Sequence, residues 1–526
     1  VLWHTDQTHD AWFSVALKVL PRIPGVRKGD KYLELPCTVW NMDMVRELWR
    51  RIGADAPVFH VKTGKVAEGT LYKHQQGAAA KILTVPGMIL ADNMGVGKTR
   101  SALAAAIQIQ RLYDRHCVII STLSSRNVWR KELAAMGVEE PLCTLESRDI
   151  NNWTPGARWY FVHFDIVLAW QTKLQASPKP CCVIVDEAHN AKNGRTQRGK
   201  GVYAVTVPAT RKIILTGTPV ENNPADLWHL LTMSTGPYTW GSPLDFRQRY
   251  CGAWHDGYGY HDGEPSHMDE LLQRIEPFYL RRTATDVGLN LPPLTRQLHT
   301  VELSHTLQCE HDEVLGRQTV QELVSAIQLG HMKDHVLETL SRLRSVTSSG
   351  KIHATVEYVQ NLQDQGEGVI VFTWERASAQ AIADHIKGSF CITGDDPQSE
   401  RERVVDLFQA TPGSVLIATL GAMRESVTLH TARIVIMHDW HWVLTHLLQA
   451  EARVWRTGQR RACQSIWMMA KGSVDELIAK ALYTKAHAMK AVGIDEGTRA
   501  LEQLGIGQIV RDAEEQRVGR MLEGWL

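Results

Sequence analysis

The 526-residue sequence predicts an α/β protein made of two parallel-sheet lobes in tandem. Three observations carry this expectation. Short, continuously apolar runs alternate with helical patterns, as expected for strands buried on both faces and connected by crossover helices. The alternation occurs twice, once on either side of Leu291-Pro292-Pro293-Leu294. Finally, the glycine-rich stretch Ala91-Asp92-Asn93-Met94-Gly95-Val96-Gly97-Lys98-Thr99 follows an apolar run, Met88-Ile89-Leu90-Ala91, and opens a helical pattern at Ser101. Strand, glycine turn and helix N-terminus in that order make an anion-binding site.

Residues 1–64 are expected to form a small accessory module. In it Pro21-Arg22-Ile23-Pro24-Gly25 leads into the alternating Tyr32-Leu33-Glu34-Leu35, a strand signal, and 42–52 has helical spacing. The first lobe is assigned to 65–294, with strands at 88–91, 118–121, 160–163, 181–185 and 212–215 and a helix at 127–136. A helical insertion is expected at about 222–290. The proline pair 292–293 stops a helix and favours an extended link. The second lobe, 295–490, has strand patterns at 369–373, 390–392, 415–418, 434–437 and 466–469, and helical patterns at 377–386, 400–409 and 444–453. A segment about 304–350 should protrude, with helical spacing at 323–344. Residues 491–526 read as a helical tail whose amphipathic part, 502–526, packs on the second lobe.

Composition narrows the class. With 44% hydrophobic and 22% charged residues the chain is an ordinary globular protein, of a length for about three or four domain-sized units. A net charge of +1 gives no global basic field, so any nucleic-acid contact must come from local tracks. Nine scattered cysteines with no C-x-x-C pair argue against a disulfide framework or zinc ribbon and for a reducing compartment. No apolar stretch approaches a membrane span, and the start does not read as a signal peptide. The first residue is Val1, which suggests processing or truncation.

The chemistry begins at the glycine turn. Gly95 and Gly97 let backbone N–H groups curl around phosphate, Lys98 can reach β- and γ-phosphates, and the Thr99 hydroxyl suits Mg²⁺. Met94, Val96 and Arg100 complete the candidate nucleotide-binding turn. Asp92 stands where the general pattern has its first glycine. Cys181-Cys182-Val183-Ile184-Val185 then delivers Asp186 and Glu187 to the C-terminal end of a buried strand, the edge where ligands bind. Asp186 would hold Mg²⁺, and Glu187 would orient and deprotonate an attacking water. Either motif alone has an innocent reading, a tight turn or a solvated acidic loop. Together they point to nucleoside-triphosphate hydrolysis.

These motifs, together with Leu215-Thr216-Gly217-Thr218-Pro219-Val220-Glu221-Asn222-Asn223, Ile392-Thr393-Gly394, and Gln449-Ala450-Glu451-Ala452-Arg453-Val454-Trp455-Arg456-Thr457-Gly458-Gln459, resemble those of the SWI/SNF ATPases of helicase superfamily two, in the same order and across roughly 70–490. The resemblance implies two RecA-like lobes. It gives Gln75 the reading of the adenine edge and Gln459 a second-lobe contact with the nucleotide. Thr216, Gly217 and Thr218 would couple nucleotide state to the nucleic-acid side. Arg453 and Arg456, three apart on one expected helical face, look like arginine fingers, a device that contributes about 10³–10⁵ in rate. Candidate DNA grips are Thr122 and Trp129 with Arg130, Lys192 and Asn193 in a basic loop, Thr373 and Trp374, and Ser426 and Thr428. For the basic loop, a plain solvated surface is the competing reading.

The implied activity is DNA-dependent ATP hydrolysis with translocation on double-stranded or branched DNA. A nucleotide-switched clamp or platform in a larger complex stays open as an alternative. A metal-dependent nuclease is disfavoured, because pairs such as His261-Asp262 and His311-Asp312 lack metal-site spacing. The N-terminal region and Tyr250-Cys251 are similar to the compact annealing-helicase branch. A monomeric engine in a bacterial or phage-infected cytoplasm is expected, with the N-terminal module or the tail available to a protein partner. Four positions depart from the family pattern: Asn93 stands for an acid, Thr122 and Leu444 for prolines, and Ser426 for a glycine.

Overall fold

The computed structural model describes residues 71–512, apart from 177, 221–222, 237–238, 258, 317–333, 424–428 and 491–492, together with the backbone of 27–28 and 33–34. β1 (Arg27–Lys28) and β2 (Leu33–Glu34) pair antiparallel. The rest of the expected N-terminal module lies outside the described residues.

Two parallel sheets organise the remainder. The first contains β3 (Gly87–Leu90), β4 (Cys117–Ser121), β5 (Leu142–Leu145), β6 (Trp159–His163), β7 (Cys182–Val185) and β8 (Arg211–Leu215). Beyond these, β9 (Trp254–His255) and β10 (Tyr260–His261) make a separate antiparallel pair, and β11 (Tyr279–Leu280) returns to the first sheet. Its order is β11-β3-β8-β7-β4-β6-β5. The second sheet contains β12 (Leu294–Val301), β13 (Val369–Thr373), β14 (Phe390–Ile392), β15 (Val415–Thr419), β16 (Ile434–Met437) and β17 (Cys463–Ala470), in the order β12-β17-β16-β13-β15-β14. β3, β4 and β7 are buried at every position, as are β13, β15 and β16, because helices cover both faces. In both sheets the strand C-termini end at loops that carry the motifs.

Two expectations are corrected. The segment about 222–290 is not merely an insertion. Its first helix, Asp226–Thr235, buries Leu227, Leu230, Leu231 and Met233 in the core of the first lobe, and its end supplies β11 to the sheet. The expected protrusion is instead part of the second lobe's frame where it is described. The helix Asp334–Asp364 buries Leu340, Leu343 and Val346. Residues 317–333 lie outside the described residues. The tail contains the helix Glu496–Gln503, and Gly505 at φ +74° stands at the turn that breaks the long amphipathic helix expected from 502. No helix among the described residues is long and apolar enough to cross a membrane.

Candidate nucleotide site between the lobes

The phosphate loop follows β3. Gly95 and Gly97 have φ of +80° and +93°, conformations that side chains rarely adopt, and Gly97 caps the helix Lys98–Tyr113. A methyl group on Gly97 would fall 2.2 Å from Gln75 Nε2. The helix N-terminus, where backbone N–H groups suit an anion, thus opens directly from the glycine loop. Lys98 Nζ donates to the carbonyls of Asp92 (2.8 Å) and Asn93 (3.2 Å). Burial pulls its ammonium below the ordinary lysine range, against the opposing charges of Glu187, Asp92, Asp186 and Glu496. Thr99 lies half-buried in the first turn.

Asp186 stands at the end of β7. Ser121 Oγ and Trp129 Nε1 each donate to its Oδ2 at 3.1 Å, and the Glu187 amide donates to Oδ1 at 3.0 Å. Burial pushes its carboxyl up to about 6, with the neighbouring Glu187 charge adding to the shift. Glu187 itself sits at φ +49°, an uncommon left-handed conformation for a residue with a side chain. Its Oε2 lies 3.4 Å from His189 Nδ1. That same ring nitrogen is 3.2 Å from Thr218 Oγ1 and 3.5 Å from Thr216 Oγ1. His189 thus joins the acidic pair to the Thr216–Thr218 segment, a link that sequence reading left out. Its only signal was its place directly after Asp186-Glu187-Ala188. Gly217 closes against the loop, since a methyl group there would come within 3.0 Å of Met94 Cε and 3.5 Å of Lys98 Nζ.

The second lobe meets this loop directly. Arg456 Cβ lies 3.5 Å from where a Gly95 side chain would begin, and Thr457 Oγ1 donates to Gly95 O at 3.2 Å. Burial pulls the Arg456 guanidinium below its ordinary value. Arg453 and Arg456 do not share a helix, contrary to the spacing argument. The helix Leu444–Glu451 stops at Glu451, whose buried carboxylate is held by Arg296 and Trp467. The chain then turns, and Arg453 O accepts from the Leu429 amide at 2.9 Å.

Gln75 is buried, with Nε2 3.5 Å from the Val96 and Gly97 carbonyls and Oε1 accepting from the Tyr72 amide. It pins the loop to the preceding helix. Arg100 pairs with Glu132 of the helix Arg126–Ala135 at 2.8 Å. Gln459 is corrected as a nucleotide contact. Its Nε2 donates to His430 O and Ala432 O and its Oε1 accepts from the Arg460 and Arg461 amides, which exhausts the amide's capacity.

Among the expected DNA grips, Trp129 is also corrected. The indole is 0% exposed and serves Asp186. Thr373 is equally buried and donates to Glu375 O. Trp374 is on the surface, with its ring under the Arg344 guanidinium at 4.6 Å and its amide donating to Asp439. Thr122 lies half-buried 3.1 Å from Ser124 Oγ, Lys192 pairs with Asp226, and Asn193 shapes the turn before Arg195. Ser426 and Thr428 lie outside the described residues. Arg282 was missed altogether. It grips Asp92 with Nε (3.0 Å) and Nη2, and donates from Nη1 to His74 O.

Residues 35–351 match the SNF2-related domain, and 350–458 match the helicase conserved C-terminal domain. The chain belongs to the SNF2-related family. It is a helicase-like ATP hydrolase of that family. Among curated relatives, the SWI/SNF-related matrix-associated actin-dependent regulator of chromatin subfamily A-like protein 1 of Drosophila melanogaster is 26% identical over 82% of this chain and 57% of its own. The DNA annealing helicase and endonuclease ZRANB3 of Mus musculus is 29% identical over 76% and 38%. The putative ATP-dependent helicase/translocase YwqA of Bacillus subtilis is 25% identical over 84% and 50%. The expected likeness to the annealing-helicase branch agrees with these names. The chain spans about half the length of the curated relatives it matches. Among solved structures, the SWI2/SNF2 ATPase core of Sulfolobus solfataricus in complex with dsDNA is similar, at 22% identity, 84% of this chain, 95% of that chain and a TM-score of 0.39.

Proposed function

We propose that this SNF2-family ATPase hydrolyses ATP between its lobes and uses their opening and closing to move along double-stranded DNA, remodelling protein–DNA or branched DNA structures. The observation that carries this reading is the meeting of Arg456 and Thr457 with Gly95, on the loop that also presents Lys98 to Asp186 and Glu187.

Each group has a distinct task. The loop amides and Lys98 take the phosphates, exchanging the Asp92 and Asn93 carbonyls for phosphate oxygens. Glu187 receives a proton from the attacking water, and its strained backbone fixes the carboxylate's direction. Arg456, and Arg453 as the second candidate finger, would meet charge that develops on the transferred phosphoryl group. The donor set fits Mg²⁺: a desolvated carboxyl at Asp186 that favours a positive neighbour, and the Thr99 hydroxyl in the first turn of the helix after the phosphate loop. When bound, the ion would offset phosphate charge.

His189 gives the coupling a physical route, because it contacts both Glu187 and the Thr216–Thr218 segment. DNA would lie across Thr122, Lys192, Asn193 and Trp374, held through its phosphates and so without reading sequence. The curated relatives named for translocation and DNA annealing support this substrate.

The test is displacement of a triplex-forming strand from duplex DNA. ATP-dependent displacement, abolished by Lys98→Ala, supports translocation. DNA-stimulated hydrolysis without displacement would instead favour a nucleotide-switched clamp.

A further inference from the structure

Among the described residues, the second lobe reaches the phosphate loop at a further place besides the arginine segment. That place is Glu496, first residue of the helix Glu496–Gln503. That helix belongs to the second lobe: Leu501 is fully buried, Gly497 packs on Leu444 and Ala486, and Thr498 Oγ1 donates to Ala486 O at 3.0 Å. Glu496 Oε1 leaves this lobe to accept from Asn93 Nδ2, in the phosphate loop, and from Arg281 Nη2 at 3.0 Å. Arg281 Nη1 in turn donates to Gly493 O at 3.1 Å, so both ends of the tail's entry turn are tied to the first lobe. Arg281 follows β11, whose register against β3 fixes it beside the loop.

We propose that Glu496 is a positioning residue for hydrolysis, a clasp that holds the two lobes apposed so that Arg456 stays facing Gly95. The proposal rests on the ATPase reading of the cleft. Asn93 gains an explanation from it. The family resemblance places an acid at this position, and a carboxylate there would stand against Glu496 with like charge. The amide instead donates to it. Asn93 and Glu496, 403 residues apart, thus meet directly, with Arg281 Nη2 reaching Glu496 Oε1 at 3.0 Å and Asn93 Oδ1 at 3.4 Å, and a charge-assisted hydrogen bond of this kind is among the stronger ones available.

The test uses the full chain. Spin labels at Leu112 and Leu407, both exposed and on different lobes, in a background with Cys309→Ser, report the distance between lobes without nucleotide. Glu496→Ala and Asn93→Glu should each lengthen and broaden that distance. Each should also lower kcat by about tenfold while the Kd for ATP stays within about twofold, since what is lost is apposition and not the phosphate contacts. The double variant Asn93→Glu/Glu496→Gln restores an acid–amide pair with the roles exchanged. It should return distance and kcat to within about twofold of the parent. A helix whose role was only to pack would not produce that reciprocal rescue. Unchanged distances in the single variants, or a double variant no better than Asn93→Glu, would overturn the proposal. If no form of the chain hydrolyses ATP, the distances still decide the clasp, while the ATPase reading fails separately.

Discussion

Replacing Arg282 with alanine should loosen the phosphate loop from behind. The Asp92 side chain is fully buried and Arg282 is 18% exposed, so water cannot replace the lost partner. Two guanidinium nitrogens serve Asp92 and a third serves His74 O. Leaving one member of such a buried pair uncompensated costs about 3–5 kcal/mol. For a lobe of this size each kcal/mol lowers the melting temperature by about 2–4 °C, which gives a drop of roughly 6–20 °C. Thermal unfolding followed by circular dichroism measures it, and hydrogen exchange at the β3 amides should place the loss in the first lobe. Asp92→Ala/Arg282→Ala should cost less than the sum of its two single changes, because each single change already breaks the pair. A cost under about 1 kcal/mol for Arg282→Ala would refute the reasoning, since that is the range of a solvent-screened surface pair.

Glu187→Gln should retain ATP and lose about 10²–10⁴ in single-turnover hydrolysis, because the amide cannot take a proton; fluorescent-nucleotide binding and quench flow separate the two effects. His189→Ala should leave ATP binding intact and reduce the stimulation of turnover by duplex DNA, as read in a coupled ATPase assay with and without DNA. Burial holds His229 neutral, with its folded value lowered to about 4 against an ordinary 6.5. The unfolded chain therefore binds the extra proton, and stability falls as pH drops from about 6.5 toward 4, at up to about 1.4 kcal/mol per pH unit. Urea midpoints across that window should fall less steeply in His229→Phe than in the parent, and equal slopes would count against the burial argument.

Strands that the sequence marked most clearly are those covered on both faces. β7 and β16 are unbroken apolar runs, and β4 and β13 break only at their last residue, because both faces of each are buried. β12 and β5 lie at sheet edges with half-exposed positions, and β11 has two residues, so none left a continuous run. The glycine turn and the Asp186–Glu187 pair could be read because their chemistry is local. Long-range partners could not. Nothing near Trp129 in the sequence shows that its indole turns inward to Asp186, and a tryptophan beside Arg130 looks like a surface grip. The same holds for Arg282 and Asp92, 190 residues apart. Spacing failed at Arg453 and Arg456 because the helix ends at Glu451 and the chain goes on as turns, in which the Arg453 carbonyl accepts from the Leu429 amide.

The central claim is that both lobes act on one ATP. Its most direct test is turnover by Arg456→Ala, measured with saturating duplex DNA beside nucleotide affinity. The account predicts that ATP still binds while hydrolysis falls by about 10³ or more. Turnover equal to that of the unaltered chain would contradict it.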